Sequence, residues 1–424
     1  MTTDRRLLIV GAGQAGVQTA SSARELGWRG PITLLGAEPH APYARPPLSK
    51  AFLNGTATVD SLALRTPEFY ADHRIDLVLD ERVEHLDLAG DGTGSAVTAA
   101  GRRWAFDRLV LATGAAPRRL PLEGADLEGV VVLRDLHDAM SLARRLDAAD
   151  HMVVVGGGFV GLEVAAAAVA AGVRTTVVEA ASSLMNRVVS PVTSEVVERA
   201  HRACGIHVLT GVRPTRLTDD GQGVVAAVEL DNGVRLPARL VLVGVGAGPR
   251  DDLAAAAGLH CHNGIVVDDR SLASDGHTLA VGDCANLPDP SPTRGRVRRL
   301  RLESVDNAAE QARAAATTLV GRPQPYRSVP WFWSDQGSLK LQIAGLAGPD
   351  DDVIVRAGKR PGQHTTLRYR GPALVAAECI NSPADFLAVR KALTTGTSLS
   401  REAAADTRIT LKQHLSTAVT ALHP

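Results

Sequence analysis

Two stretches of this 424-residue chain have residue types and spacing suited to holding a pyrophosphate. Gly11, Gly13 and Gly16 follow the apolar run Leu7-Leu8-Ile9-Val10 and open an alanine-rich segment that reaches about Leu26. Gly156, Gly158 and Gly161 repeat the arrangement after Met152-Val153-Val154-Val155, with Phe159 and Val160 inside the turn. In a strand, turn and helix of this kind the first glycine permits the turn, the second admits the pyrophosphate, and the third allows close packing of helix on strand. Glu179 ends the next apolar run twenty-one residues past Gly158. A carboxylate there accepts both ribose hydroxyls and repels a ribose phosphate, so NADH is expected over NADPH. The first copy has no acid at the matching place. Gly36 and Ala37 end its second run, and Glu38, one step later, is the candidate ribose ligand.

Other residues distinguish the two nucleotides. Asp283 follows Gly282 at the end of an apolar run and offers a carboxylate to a ribityl hydroxyl, which a flavin needs and a nicotinamide does not. FAD is therefore expected in the first copy, although Asp also caps turns for purely structural reasons. Thr113 and Gly114 end the run Leu109–Ala112, and Gly246 ends Leu240–Val245; each suits a strand returning beneath a nucleotide. In Arg45-Pro46-Pro47-Leu48-Ser49-Lys50 the two prolines fix the backbone that carries Lys50. Glu163 lies between Leu162 and Val164 in the second helix, where a charge needs a partner. Lys50 is assigned as that partner, bridging the nucleotide domains beside the flavin, where a cation favours the reduced ring. An exposed pair would contribute only about 0–1 kcal/mol, so the case rests on position.

With aromatics at only 3% of the chain, the cluster Trp331-Phe332-Trp333 is informative. Core packing accounts for it; so does a lid over the isoalloxazine, for which Trp333 is the candidate. The helix beginning near Val305 is expected to aim its first amides at the flavin. Arg294, Arg296, Arg298, Arg299 and Arg301 precede it. Such a run is most often a solvated loop, and beside a flavin it suits docking of an acidic redox partner.

The elements that must position these groups read as two βαβ units followed by alternating strands and a helix from Pro383. The expected fold is α/β, with a discontinuous FAD domain (1–113 and 246–325), an NAD domain (114–245) and a C-terminal α+β domain (326–424) ending in a peripheral helical arm. Basic and acidic residues balance at 46 each, which argues against a nucleic-acid or membrane-surface binder. No apolar stretch is long enough to span a bilayer and no signal-type cleavage site opens the chain, so a cytoplasmic location is expected. Cys204, Cys261, Cys284 and Cys379 are too scattered for a redox motif or a metal cluster.

The motifs GAGQAG, RPPLSKAFL, LATGA, GGGFVGLE, VGDCA, RLESVDNAAEQAR and PWFWSDQ together resemble the class I ferredoxin reductases of the FAD-dependent pyridine nucleotide-disulfide reductase superfamily. The likeness covers nearly the whole chain. It implies a glutathione-reductase-like fold and FAD contacts at Ala15, Lys50, Val83, Arg134, Asp283 and Val305. It also implies an NADH site at the second glycine turn with Glu179, and a Lys50–Glu163 charged pair near the flavin. Two departures stand out: Ala37 where relatives often have the ribose acid, and Gly337 where an aromatic is common.

Disulfide- and peroxide-reducing members carry cysteine near Pro42–Lys50; none occurs here, so the electrons are expected to leave to an external acceptor. The expected partner is a 2Fe-2S ferredoxin, docked by Arg298, Arg299, Arg301, Arg313 and Lys340, on a monomer or homodimer. Val305 in place of an aromatic favours service to a haem-thiolate (cytochrome P-450) monooxygenase. Supply of a Rieske dioxygenase or a rubredoxin system, and an NAD-sensing flavoprotein of the apoptosis-inducing-factor kind, stay open.

Overall fold

The computed structural model describes residues 4–289, 298–358 and 360–420, with side chains to residue 415. The chain divides into two compact units. One comprises Met1–Ala44, Val59–Ala116 and Ala247–Ser328; the other comprises Arg45–Thr58, Pro117–Gly246 and Val329–Pro424.

The first unit is built on a five-stranded parallel sheet in the order Leu279–Ala280, Arg108–Leu111, Leu7–Val10, Ile32–Leu35, Ile75–Val78. All four residues of Leu7–Val10 are buried, as expected of a strand covered on both faces. The helix Gln14–Glu25 packs through Val17, Ala20 and Ala23 into the core holding Ile9, Leu34 and Ala315, the last from the helix Val305–Leu319. An antiparallel meander of Val83–Leu88, Gly94–Thr98 and Arg103–Phe106 completes the unit.

The second unit repeats the parallel design in the order His207–Thr210, Arg174–Glu179, His151–Val155, Leu240–Val243, Val130–Val131. It also holds a five-stranded antiparallel sheet, ordered Trp331–Gln336, Leu339–Gly345, Ala373–Ile380, His364–Arg370, Asp352–Ala357. Gly337 and Ser338 form the two-residue turn of its first hairpin, and only Gly337 is left-handed (φ 62°), as a type II′ turn requires. Glycine at this position therefore has a backbone reason.

The C-terminal arm is not peripheral. Ala404, Leu411 and Leu415 are buried with Tyr369 and Phe386, because two leucines at i,i+4 give the helix Leu411–Thr420 an apolar stripe to bury. Among the described residues no helix is long and apolar enough to cross a membrane, and no group of His, Cys, Asp and Glu could hold a metal ion.

Candidate active site

The two glycine turns solve one steric problem in the same way. A methyl at Gly11 would fall 2.2 Å from the Ala112 carbonyl oxygen, and one at Gly16 would fall 1.9 Å from that of Gly11. In the second turn a methyl at Gly156 would meet Gly244 O at 2.5 Å and one at Gly161 would meet Gly156 O at 2.3 Å. The outer glycines are thus required by the protein's own packing. The middle ones are not: nothing lies within 4 Å of a methyl at Gly13, and only Gly244 O at 3.9 Å faces one at Gly158. The helices that follow, Gln14–Glu25 and Phe159–Ala170, have neither a side-chain N-cap nor an acidic first turn, whereas Asp135, Ser190, Ser304 and Ser400 cap theirs. Open space over a glycine beside uncapped amides fits a nucleotide pyrophosphate.

Around the first cradle, Ala15 presses its Cβ toward Gly282, where a side chain would come within 2.9 Å. This close approach explains the glycine before Asp283, which is half-buried, with its carbonyl accepting Arg301 Nη1 at 3.2 Å. Ala37 is exposed, while Glu38 is half-buried and its Oε2 accepts the Tyr43 hydroxyl at 2.6 Å. Thr113 Oγ1 donates to Arg250 O at 2.6 Å, and Gly114 is left-handed (φ 72°). Val83, half-buried, opens the meander. Val305 is the first residue of its helix, in which Ser304 Oγ takes the Asn307 amide at 3.0 Å and Asp306 lies in the first turn.

In the second unit, Glu179 holds the turn as well as facing it: Oε2 accepts Gly157 N and Oε1 accepts Ala181 N, both at 2.7 Å. Phe159 and Val160 start the helix, Val160 being exposed. Gly246 is left-handed (φ 100°) and its carbonyl accepts Arg118 N. Pro46–Ser49 forms a single 3-10 turn, which brings Lys50 Nζ to 2.9 Å from Glu163 Oε1, both within this unit. Glu163 is 4% exposed. Besides Lys50, its carboxylate accepts Ser49 Oγ at Oε2 and Ser334 Oγ at Oε1, the latter at 2.6 Å. Arg45 Nη1 donates to the Arg134 carbonyl at 2.7 Å, joining two further expected residues.

Alternation along Trp331–Gln336 separates two functions. Trp331 and Trp333 stack with ring centroids 5.4 Å apart, and Trp331 also carries the Arg390 guanidinium 4.7 Å above its ring. On the other face Phe332 meets Phe159 at 4.5 Å, and Ser334 and Gln336 are buried.

Residues 5–312 match the family model described as pyridine nucleotide-disulphide oxidoreductase, and residues 331–415 match the one described as reductase C-terminal. The chain is 43% identical over 408 residues to rhodocoxin reductase of Rhodococcus erythropolis, covering 96% of this chain and 93% of that one. Two solved structures are similar over nearly the whole chain. The ferredoxin reductase for the CYP199A2 system of Rhodopseudomonas palustris superposes with a TM-score of 0.91 at 40% identity, covering 96% and 99% of the two chains. The covalent putidaredoxin reductase–putidaredoxin complex gives 0.92 at 37% identity, covering 98% and 99%. The chain belongs to the pyridine nucleotide-disulphide oxidoreductase family. It has this family's α/β fold with a C-terminal reductase domain, and its cofactors are FAD and NADH.

In a family named for disulphide chemistry, the state of the thiols matters. Cys204 is exposed; Cys261 is pushed up to about 11 by burial and by Asp251; burial also raises the Cys284 and Cys379 thiols. The environments of Cys261, Cys284 and Cys379 are inert.

The expected docking cations divide. Arg299 is held inward, its Nη2 donating to Val267 O and Asn286 O and its Nε to Asn286 Oδ1. Arg301 is only 9% exposed and ion-paired with Glu303. Both are spent on the fold, which corrects their assignment as docking residues. Arg298 and Lys340 are exposed, and Arg313, half-exposed, pairs with Glu310. Arg294 and Arg296 lie outside the described residues.

Sequence reasoning missed Ser49, Ser334, Gln336 and His201. Period-2 alternation through Trp331–Gln336 was the available signal for two of them. It also missed Arg187, whose Nη2 would lie 3.5 Å from a methyl on Gly246 and for which no spacing rule exists.

Proposed function

We propose that this chain is an NADH-dependent ferredoxin reductase that passes electrons one at a time to a 2Fe-2S ferredoxin serving a cytochrome P-450 monooxygenase, in the cytoplasm. The observation that carries the reading is the ion pair of half-buried Lys50 with buried Glu163, with Lys50 ending a segment, Pro42–Lys50, that holds no cysteine. FAD, when bound, accepts a hydride's electron pair from NADH and releases electrons singly.

The chain's own residues bind, orient and shield. Gly11, Gly13 and Gly16, with Ala15, Val83, Thr113, Gly114, Asp283 and Val305, hold FAD, and Glu38 takes over the ribose contact that Ala37 cannot make. Gly156, Gly158, Gly161, Phe159, Val160 and Gly246 hold the NADH pyrophosphate region. Glu179, already oriented by two backbone amides, accepts the ribose hydroxyls and disfavours a 2′-phosphate. Lys50 lends positive charge to the bound flavin, Glu163 holds Lys50 in place, and Arg45 and Arg134 brace the same segment. Trp333 excludes water. No side chain need act as acid or base for hydride delivery; orientation is the protein's contribution. Arg298, Arg313 and Lys340 favour an acidic partner through local charge, which raises encounter rates more than affinity. Names such as rhodocoxin reductase and the putidaredoxin complex support the choice of acceptor.

Steady-state assays with purified acceptors test this. The expected result is turnover on the order of ten or more electrons per second with a 2Fe-2S ferredoxin, and none with disulfides or peroxide. Turnover with disulfides but not ferredoxin would refute it, and feeble turnover with a long-lived NAD–flavin complex would support the sensor instead.

A further inference from the structure

Beyond the Lys50–Glu163 pair, a buried chain of hydrogen bonds runs on through the second unit. Ser334 Oγ, which donates to Glu163, itself accepts Gln336 Nε2 at 3.0 Å. Gln336 Oε1 lies 2.8 Å from His201 Nε2. A carbonyl oxygen can only accept, so His201 carries its hydrogen on Nε2. The polarity is then fixed from end to end, with every donor in the chain pointing toward Glu163. Ser334, Gln336 and His201 are 0%, 3% and 2% exposed, so water does not compete for these bonds.

The opposite polarity has an identifiable trigger. If the Gln336 amide turned over, Oε1 would face Ser334 and draw its hydroxyl hydrogen away from Glu163. The amide nitrogen would then face His201, which would need its hydrogen on Nδ1. Met185 Sδ, 3.7 Å from Gln336 Nε2, is a weak acceptor that favours the observed orientation. Burial lowers the affinity of His201 for a second proton, partly offset by the bond to Gln336, and the tautomer of the neutral ring distinguishes the two arrangements.

We propose that Ser334, Gln336 and His201 are positioning residues that lock the Ser334 hydroxyl onto Glu163, so that the carboxylate holds the Lys50 ammonium at one point. Aligned hydrogen bonds in a dry interior reinforce one another, which makes the chain effective as a unit. The inference rests on the reading that Lys50 lends its charge to bound flavin, and adds the residues that fix that charge in space.

The test is the flavin midpoint potential of the holoenzyme, equilibrated with a reference dye, with the melting temperature recorded in parallel. Lys50→Gln should move the reduced-to-oxidised flavin ratio at fixed potential toward oxidised by roughly tenfold. Ser334→Ala and Gln336→Met should move it the same way by about threefold, and Ser334→Thr, which keeps the hydroxyl, should restore it. In the Lys50→Gln background Ser334→Ala should add nothing, because its effect passes through Lys50. A normal potential in Lys50→Gln would sink the reading of Lys50 and this assignment with it. A shifted Lys50→Gln beside unshifted Ser334→Ala and Gln336→Met, or a Ser334→Ala effect that persists without Lys50, would overturn the positioning role alone. Should Ser334→Ala not fold, Gln336→Met, apolar and of similar size beside Met185, carries the same comparison.

Discussion

Replacing Gly158 and Gly161 separately by alanine should damage different properties of the protein. At Gly158 (φ −84°) a methyl meets only Gly244 O, at 3.9 Å, so neither strain nor overlap arises, and stability should change by no more than about 0.5 kcal/mol. The same methyl occupies the space into which the uncapped helix amides point. Losing one charge-assisted hydrogen bond to a phosphate oxygen costs about 1.5–3 kcal/mol, a rise of roughly ten- to a hundredfold in the NADH dissociation constant. At Gly161 a methyl would sit 2.3 Å from Gly156 O and 3.1 Å from Val154 Cγ1, inside packed backbone. Overpacking of this kind costs about 1–3 kcal/mol, a fall of roughly 2–10 °C in melting temperature. Thermal melts beside NADH titrations of both holoenzymes measure the two effects. The reasoning fails if Gly158→Ala lowers the melting temperature as far as Gly161→Ala does, or if it binds NADH at the wild-type constant.

Three further outcomes are expected. Glu179→Gln keeps the size but halves the acceptors that now serve Gly157 N and Ala181 N and removes the charge. The ratio of kcat/KM for NADH over NADPH should fall by about tenfold, and an unchanged ratio would show that specificity lies elsewhere. Alkylation of the native protein near pH 8 should modify Cys204 rapidly and the other three cysteines slowly, Cys261 because its thiol sits at about 11, and ferredoxin reduction should survive the treatment; lost turnover would reveal a thiol in the electron path. Glu378, 1% exposed, accepts Ser190 N at 3.0 Å, Ser190 Oγ at 2.6 Å and Arg368 Nη1 at 2.9 Å. Glu378→Leu strands the buried Arg368 charge and should cost about 3–5 kcal/mol in chemical denaturation; a loss below about 1 kcal/mol would mean the guanidinium finds another partner.

The parallel sheets were legible because runs such as Leu7–Val10 and Leu240–Val243 are apolar throughout and lead into glycine turns whose steric reason is local. The ionic partner of Glu163 was legible for a similar reason, since a charge between Leu162 and Val164 had to be met. Its other partners were not, because Ser334 reaches Glu163 from a strand 171 residues away, and a serine in a strand carries no mark of what its hydroxyl meets. The arginine run misled because charge density alone does not reveal that Arg299 fits the backbone carbonyls of Val267 and Asn286. The last twenty residues looked peripheral because a short helix carries no mark in its sequence of where its apolar side docks, yet Leu411 and Leu415 find the Tyr369 cluster.

The most direct measurement is an anaerobic titration of the purified, FAD-loaded protein. NADH in a one-to-one ratio should bleach the yellow colour, and oxidised 2Fe-2S ferredoxin added afterwards should restore it with two ferredoxins reduced for each NADH consumed. A bleached protein that leaves the ferredoxin oxidised, or a preparation that cannot take up FAD, would contradict the account.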